Sequence, residues 1–588
     1  MRDNRSESIG GLESGGRVYR VVCPWVQAGG RLCAMLLVLF CAHGCSKVPK
    51  QRADLVVIHG KLWTGVDGAP DAGALAVAGD KIIAVGSDTQ IKRYIGPQTQ
   101  TIDAGGRRVV PGLTDSHIHT ISGGLQLGRL NLRRVPDRQA FVDAITHAAK
   151  AKRPGQWVLG GRWSVDSWSD ASSPTRYWID AGTGNVPVFL NRMDGHQALV
   201  NSAALRLAGI DASGPGDPKG GEIERDSVTN EPTGILKESA MELVSKLIPP
   251  ASEDDLYDAL LRAMKHLNGL GFTAVQDMSA PEHLPVFRRA YEEGTLTVRV
   301  LSYVMDDDWD KWGPRAKDYQ PSGNMHQVAG LKGFMDGSLG SRTAYMRKPF
   351  SDATEDTRYP RGQLTAFADP PDKLNRAAIA ADTLGLQLAV HAIGDEANHL
   401  LLNAYESAVK TNGRRDARHR VEHAQHLHVE DIPRFASLGV VASMQPFHKA
   451  DDGRYAQRAI GLDRLKGSYA YRQLVDSGAT VCFGSDWPVV TADPFAGIDS
   501  AVNAQTLAQE VWLPSHSLTV EEALRAYTVT PAYAGHQEDI RGTLEVGKLA
   551  DFVVLSSDIL SVPKTQVKDV RAILTAVGGQ VVYSHKNQ

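Results

Sequence analysis

Val109-Val110-Pro111-Gly112-Leu113-Thr114-Asp115-Ser116-His117-Ile118-His119 is the stretch on which the reading of this chain turns. An apolar run leads into two histidines one residue apart. Side chains alternate between the two faces of a strand, so His117 and His119 point the same way. Two imidazoles on one face at a strand end can grip a single metal ion, because neutral imidazole nitrogen is a preferred ligand of zinc and similar ions. Taken alone, His-x-His is equally an ordinary pair of surface or core histidines. Its weight depends on the residues further along the chain.

Beyond about residue 250 the chain alternates regularly. A helical pattern over 254–267 leads to a strand at 272–277. Further apolar strands are expected at 297–301, 328–335, 387–391, 419–423, 440–444 and 480–486, most of them separated by helical stretches. Near-continuous apolar strands with intervening helices predict a parallel sheet. With 109–113 as the first strand the count is eight, which predicts a (β/α)8 TIM-like barrel.

Chemistry-bearing residues fall at the C-terminal ends of these strands: His117 and His119, Lys332, His391, His423 and Asp486. In a barrel that end is the catalytic mouth. Each has a plain structural reading by itself: Lys332 as a solvated charge, His391 as a helix cap, Asp486 as a turn residue before Trp487-Pro488. All six in this order along successive strands point to a site.

These motifs resemble the amidohydrolase superfamily, and more closely the branch that includes N-substituted formamide deformylase. The matching segments are 111–119, Lys-Gly-Phe-Met-Asp-Gly-Ser-Leu-Gly-Ser-Arg-Thr at 332–343, His-Ala-Ile-Gly-Asp at 391–395, Glu-His-Ala-Gln at 422–425 and Phe-Gly-Ser-Asp-Trp-Pro at 483–488. Gly-Lys-Leu-Ala-Asp-Phe-Val-Val-Leu at 547–555 matches the family's closing strand, and the resemblance runs over roughly residues 53–585. It implies that His117, His119 and Asp486 hold one metal, that His391 and His423 hold a second, and that Lys332 bridges both as a carbamate. It implies zinc, one or two ions per chain, with another divalent metal as the alternative. Asp486 is expected to act as the catalytic base. His196, Asp194, Arg342, Gln445 and His448 are expected to contact substrate.

The implied reaction is hydrolysis of a C–N bond in an amide of N-acyl or N-formyl type, on a small molecule. Cyclic amide or ester hydrolysis is the runner-up. A binding protein that keeps the fold without turnover is the reading from a different class, and the retained Asp486 argues against it. The resemblance leaves a homodimer open.

Outward from the barrel, both ends of the chain carry short strand-like runs. Residues 53–108 and 538–588 are expected to form one β-sandwich domain, with the barrel at 109–537. Residues from about 120 to 250 are too long for a barrel loop and are expected to form an inserted α+β subdomain. The first 45 residues differ. Arg17, Arg20 and Arg31 precede the apolar run 32–40, followed by Ala42-His43-Gly44-Cys45. This pattern predicts a secretory signal of lipoprotein type. The apolar run is too short for a spanning helix, so a membrane would be met only through a lipid on Cys45. The expected location is the bacterial cell envelope, periplasm or outer membrane.

Four of the five cysteines lie in that leader and only Cys482 lies in the body beyond it, so no internal disulfide network is available. The 588 residues are 42% hydrophobic and 22% charged with formal net charge −3, an ordinary globular composition. Near-neutral charge without basic runs gives no electrostatic case for nucleic acid.

Overall fold

The computed structural model describes residues 51–585 apart from 133–134, 164, 166–167, 170–171, 193–196, 219–220, 306–308, 341, 356 and 358. The expected signal segment 1–45 lies outside the described residues, as do Asp194 and His196. Eight strands form one parallel sheet whose spatial order follows the chain: β1 (Leu113–Ile118), β2 (Phe272–Ser279), β3 (Arg299–Met305), β4 (His326–Phe334), β5 (Gln387–Ala392), β6 (Arg420–His423), β7 (Val441–Met444) and β8 (Val481–Phe483). Just past β8 the Asp486 amide donates to the His117 carbonyl at 2.7 Å, which draws the last strand onto the first. The sheet is a TIM-like barrel.

The helices wrap the barrel for legible reasons. Glu253–Gly269, which leads into β2, starts at Ser252 with a capping box: Ser252 accepts the Asp255 amide and Asp255 accepts the Ser252 amide. Leu256, Leu260, Ala263, Met264 and Leu267 recur at helical spacing and are all buried in the main core.

The stretch expected as the first barrel strand is divided. Arg108–Pro111 belongs to a separate five-stranded sheet, paired with Lys61–Leu62 and, antiparallel, with Phe552–Leu555. The barrel begins only at Leu113. Gly112 makes the division: a Cβ there would stand 2.0 Å from Thr273 Oγ1 on β2, so the chain crosses from one sheet to the other at a residue without a side chain. A four-stranded sheet of Leu55–Ile58, Ala74–Ala78, Lys81–Gly86 and Gln100–Asp103 shares a core with the five-stranded one through Leu55, Val57, Leu75, Val77, Val109, Phe552 and Val554. The Arg299 guanidinium pairs with Asp551 at 2.7 and 2.9 Å, both buried, and so ties β3 to the segment entering that sheet.

Between β1 and β2 the chain builds a six-stranded mixed sheet that runs Gly221–Arg225, Pro232–Glu238, Gln197–Val200, Val188–Arg192, Val158–Trp163 and Leu130–Asn131. Leu190 faces one apolar cluster with Phe141 and Trp163, and its neighbour Phe189 faces another with Leu205 and Leu236. Both faces are therefore covered. Among the described residues no helix is long and apolar enough to cross a membrane.

Candidate metal centre

The strand ends bring the six expected residues toward one place. His117 sits in β1 and is buried, and His119 stands at the cap of the next helix. Asp486 Oδ1 lies 3.4 Å from His117 Nε2 and 3.2 Å from His119 Nε2. Lys332 on β4 is buried, with Nζ 3.5 Å from His117 Nε2. The His423 ring lies 4.8 Å from that of His117 and 4.5 Å from that of His391, centroid to centroid. One donor atom each from His117, His423 and Asp486 lies within 4.8 Å of the other two.

Two of these residues adopt backbone conformations that ordinary side chains avoid. His423 has φ of 75° and Asp486 has φ of 58°. Such left-handed residues cost about 1–3 kcal/mol and persist where the surroundings over-determine them, often at functional sites. Gly484 permits the second: a Cβ there would fall 2.4 Å from the His117 amide nitrogen.

His117, His391 and His423 each present one ring nitrogen to the centre because the other is occupied. His117 Nδ1 donates to Glu422 Oε2 at 2.6 Å, His391 Nε2 donates to the Gly337 carbonyl at 3.0 Å, and His423 Nδ1 donates to Gln445 Oε1 at 2.7 Å. Glu422 is in turn gripped by Arg420 through Oε1 at 2.6 Å. Arg420 is fully buried and also donates to the Ser116 carbonyl at 2.6 Å and to Ser443 Oγ at 2.9 Å. Asp115 accepts the amides of His117 at 3.1 Å and Ser485 at 2.9 Å, so one carboxyl fixes β1 against the turn that carries Asp486. Asp336 accepts the amides of Tyr345, Ile393 and Gly394 at 2.7, 3.0 and 2.8 Å and stands 3.5 Å from His391 Nε2.

The electrostatics suit a bound cation. Burial, then the Lys332 charge, push His391 down to about 3. Burial, then the neighbouring His391 and His117, hold His423 well below its ordinary value. Both are therefore neutral donors at physiological pH. Burial lowers Lys332 to about 8, against the pull of Glu422 and Asp486. Burial raises the Asp486 carboxyl, but hydrogen bonds from His117 and His119 outweigh it and hold the group well below the usual range. His117 differs: burial and Lys332 lower it, yet Glu422 and Asp486 leave it raised overall. The donor set of imidazoles and a carboxylate fits a divalent ion.

The expected substrate contacts fare differently. Gln445 positions His423. His448 Nε2 is buried without a hydrogen-bond partner among the described residues, 3.9 Å from Asp486 Oδ2, and its ring lies 15° from parallel to that of His423. Arg342 is spent elsewhere: Nε and NH2 donate to Asp352 at 3.0 and 2.6 Å and NH1 donates to the Leu339 carbonyl at 2.7 Å. In this structure its guanidinium is therefore engaged by Asp352 and the Leu339 carbonyl. Sequence reasoning passes over Glu422, Arg420, Asp115 and Asp336 as working residues. The Arg-x-Glu spacing that puts Arg420 and Glu422 on one face of β6 is the available signal.

The amidohydrolase family model matches residues 100–583. The chain belongs to the amidohydrolase family. Its family and its donor set make it a metal-dependent hydrolase. It is similar to the protein LONG AFTER FAR-RED 3 of Arabidopsis thaliana, 37% identical over 90% of this chain and 92% of that one. It is also similar to the N-substituted formamide deformylase of Arthrobacter pascens, 28% identical over 91% of this chain and 99% of that one. Among solved structures it resembles a metal-dependent hydrolase of Pyrococcus furiosus, with a TM-score of 0.69 and 28% identity over 86% of this chain and all of the other.

Proposed function

We infer that this amidohydrolase cleaves a carbon–nitrogen bond in a small N-acyl or N-formyl amide, with zinc as its metal. His117, His119 and Asp486 would hold one ion, His391 and His423 a second, and Lys332 would bridge them as a carbamate. A zinc ion supplies water acidified to a pKa of about 7 and a polarised substrate carbonyl. The observation that carries the reading is the state of Asp486. Its carboxylate is ionised and buried, and Oδ1 is taken by two imidazoles while Oδ2 lies 3.9 Å from His448 Nε2. Oδ2 is thus placed to take the proton of an attacking water and return it to the leaving nitrogen.

An ammonium at Lys332 has no lone pair to offer. With its value lowered to about 8, a fraction of neutral amine is present at neutral pH to add to carbon dioxide and release a proton. The name of the Arthrobacter pascens relative favours an N-formyl substrate over a cyclic amide or ester.

The test is release of amine and acid by the purified, zinc-loaded protein from a panel of N-formyl amides, N-acyl amides, cyclic amides and esters. Turnover of the open-chain amides supports the reading; turnover confined to esters or rings overturns it. The envelope location belongs to the same proposal. A lipid on Cys45 in the mass spectrum of the mature protein would support it, and a mature N-terminus elsewhere would remove it.

A further inference from the structure

A cleft of about 840 Å³ runs between the inserted sheet and the barrel, beside the segment Trp487–Thr491 that directly succeeds Asp486. Its apolar surface, slightly more than half of the lining, comes from Phe189 and Leu159 of the insertion, Ile248 of the return to the barrel, and Trp487 and Val489 on the barrel side. Two guanidinium groups, Arg129 and Arg162, also line it. Among the described residues no aspartate or glutamate does. Neither arginine has an ion-pair partner among the described residues, whereas Arg108, Arg153, Arg176, Arg299, Arg342, Arg418 and Arg420 each pair with a carboxylate.

We propose that this cleft is a binding site for an amphipathic organic carboxylate, whose head is taken by Arg129 and Arg162 and whose apolar body lies against Phe189, Ile248 and Val489. A planar guanidinium fork matches a carboxylate through two parallel hydrogen bonds, and two forks without a competing acid make a site selective for an anion. The apolar wall selects against small, fully hydrated anions, because only a ligand with an apolar body gains from being removed from water there.

The site is not mechanically remote from the metal centre. The Trp487 carbonyl accepts the amide of His119 at 2.9 Å, and Val489 donates its amide to the Asp486 carbonyl at 2.9 Å. A ligand held against Trp487 and Val489 therefore bears on the turn that sets Asp486. Two sources share the required chemistry: a free carboxylate, such as the acid released by acyl–nitrogen hydrolysis, and the carboxylate-bearing end of a substrate. The binding claim itself does not depend on the proposed reaction.

Titration calorimetry with octanoate tests the site, with acetate and octanol as controls that lack the body and the head respectively. The full protein should bind octanoate saturably and bind both controls at least about tenfold more weakly. Arg129→Gln and Arg162→Gln should each weaken octanoate by about tenfold or more, the loss of a charge-assisted contact. Val489→Glu, at a residue 67% exposed and so tolerant of change, should abolish binding by placing a carboxylate in the cleft. Lys332→Ala, at a residue that does not line the cleft, should retain saturable octanoate binding. Octanoate that competes with substrate identifies the substrate-end source, and octanoate that changes kcat without competing identifies the free ligand. Absence of saturable binding overturns the proposal. So does binding that Lys332→Ala removes while Arg129→Gln, Arg162→Gln and Val489→Glu leave it intact.

Discussion

His117 and His391 are both imidazoles at the barrel mouth, yet the protein treats them oppositely. His117 gives its second nitrogen to the carboxylate of Glu422, itself held by the buried Arg420, and its pKa is raised. His391 gives its second nitrogen to the neutral Gly337 carbonyl and is pushed down to about 3. The nearby Asp336 does not restore the balance, because burial pushes that carboxyl up to about 7 despite three backbone donors. A carboxylate partner makes an imidazole a stronger donor, while a carbonyl only fixes its tautomer. The flank of His117, His119 and Asp486 thus concentrates charge. The flank of His391 and His423 holds neutral imidazoles.

The comparison breaks most sharply at Asp486. Asp486→Asn keeps the shape and an oxygen ligand but cannot accept a proton. Turnover should fall by about 10²–10⁴ with metal content near normal. Near-native turnover would move the base elsewhere, and His448, 3.9 Å from Asp486 Oδ2, is the next group in reach.

Glu422→Gln removes the carboxylate beneath His117 and leaves Arg420 buried without its anion. Metal affinity should weaken by about 10–100-fold, the usual scale for an orienting partner. Unchanged affinity by metal titration would show that the two flanks are held alike.

Reconstitution of metal-free protein sharpens the role of Lys332. Its folded value of about 8 lies below the ordinary lysine value because burial disfavours the charge. The neutral amine reacts with carbon dioxide, and its fraction grows as pH rises through about 8. At fixed dissolved carbon dioxide and metal, the recovery rate should rise roughly tenfold per unit below about 8 and level off above it. A flat profile would argue against carbamate formation.

The smallest effect should come from the neutral flank. Gln445→Leu removes one uncharged hydrogen bond to His423, worth about 0.5–1.5 kcal/mol, so metal affinity should drop by no more than about tenfold. A loss matching that of Glu422→Gln would erase the distinction between the flanks.

The difference between the flanks also marks where sequence reasoning stops. The six residues that face the centre are legible because each sits at the end of an apolar strand, and strand ends in a barrel share one mouth. The boundary at Gly112 is not. Arg108–Pro111 and Leu113–Ile118 are both apolar enough to be strands, and only the close approach of Thr273 shows that the chain changes sheets between them. The partner of His117 is hidden because Glu422 lies 305 positions away, and only the parallel neighbours β5 to β8 bring the last strands round to β1. The pairing of Arg342 with Asp352, ten residues on, is likewise invisible in the motif that carries Arg342.

Metal analysis of Lys332→Ala, set beside the unaltered protein, tests the central claim most directly. That claim makes Lys332 a member of the metal centre, through a carbamate that only a lysine amine at this position can form. The substituted protein should remain folded, lose bound metal and fall to background turnover, and added short-chain carboxylic acids should restore part of both. Full metal content and undiminished turnover in Lys332→Ala would contradict it.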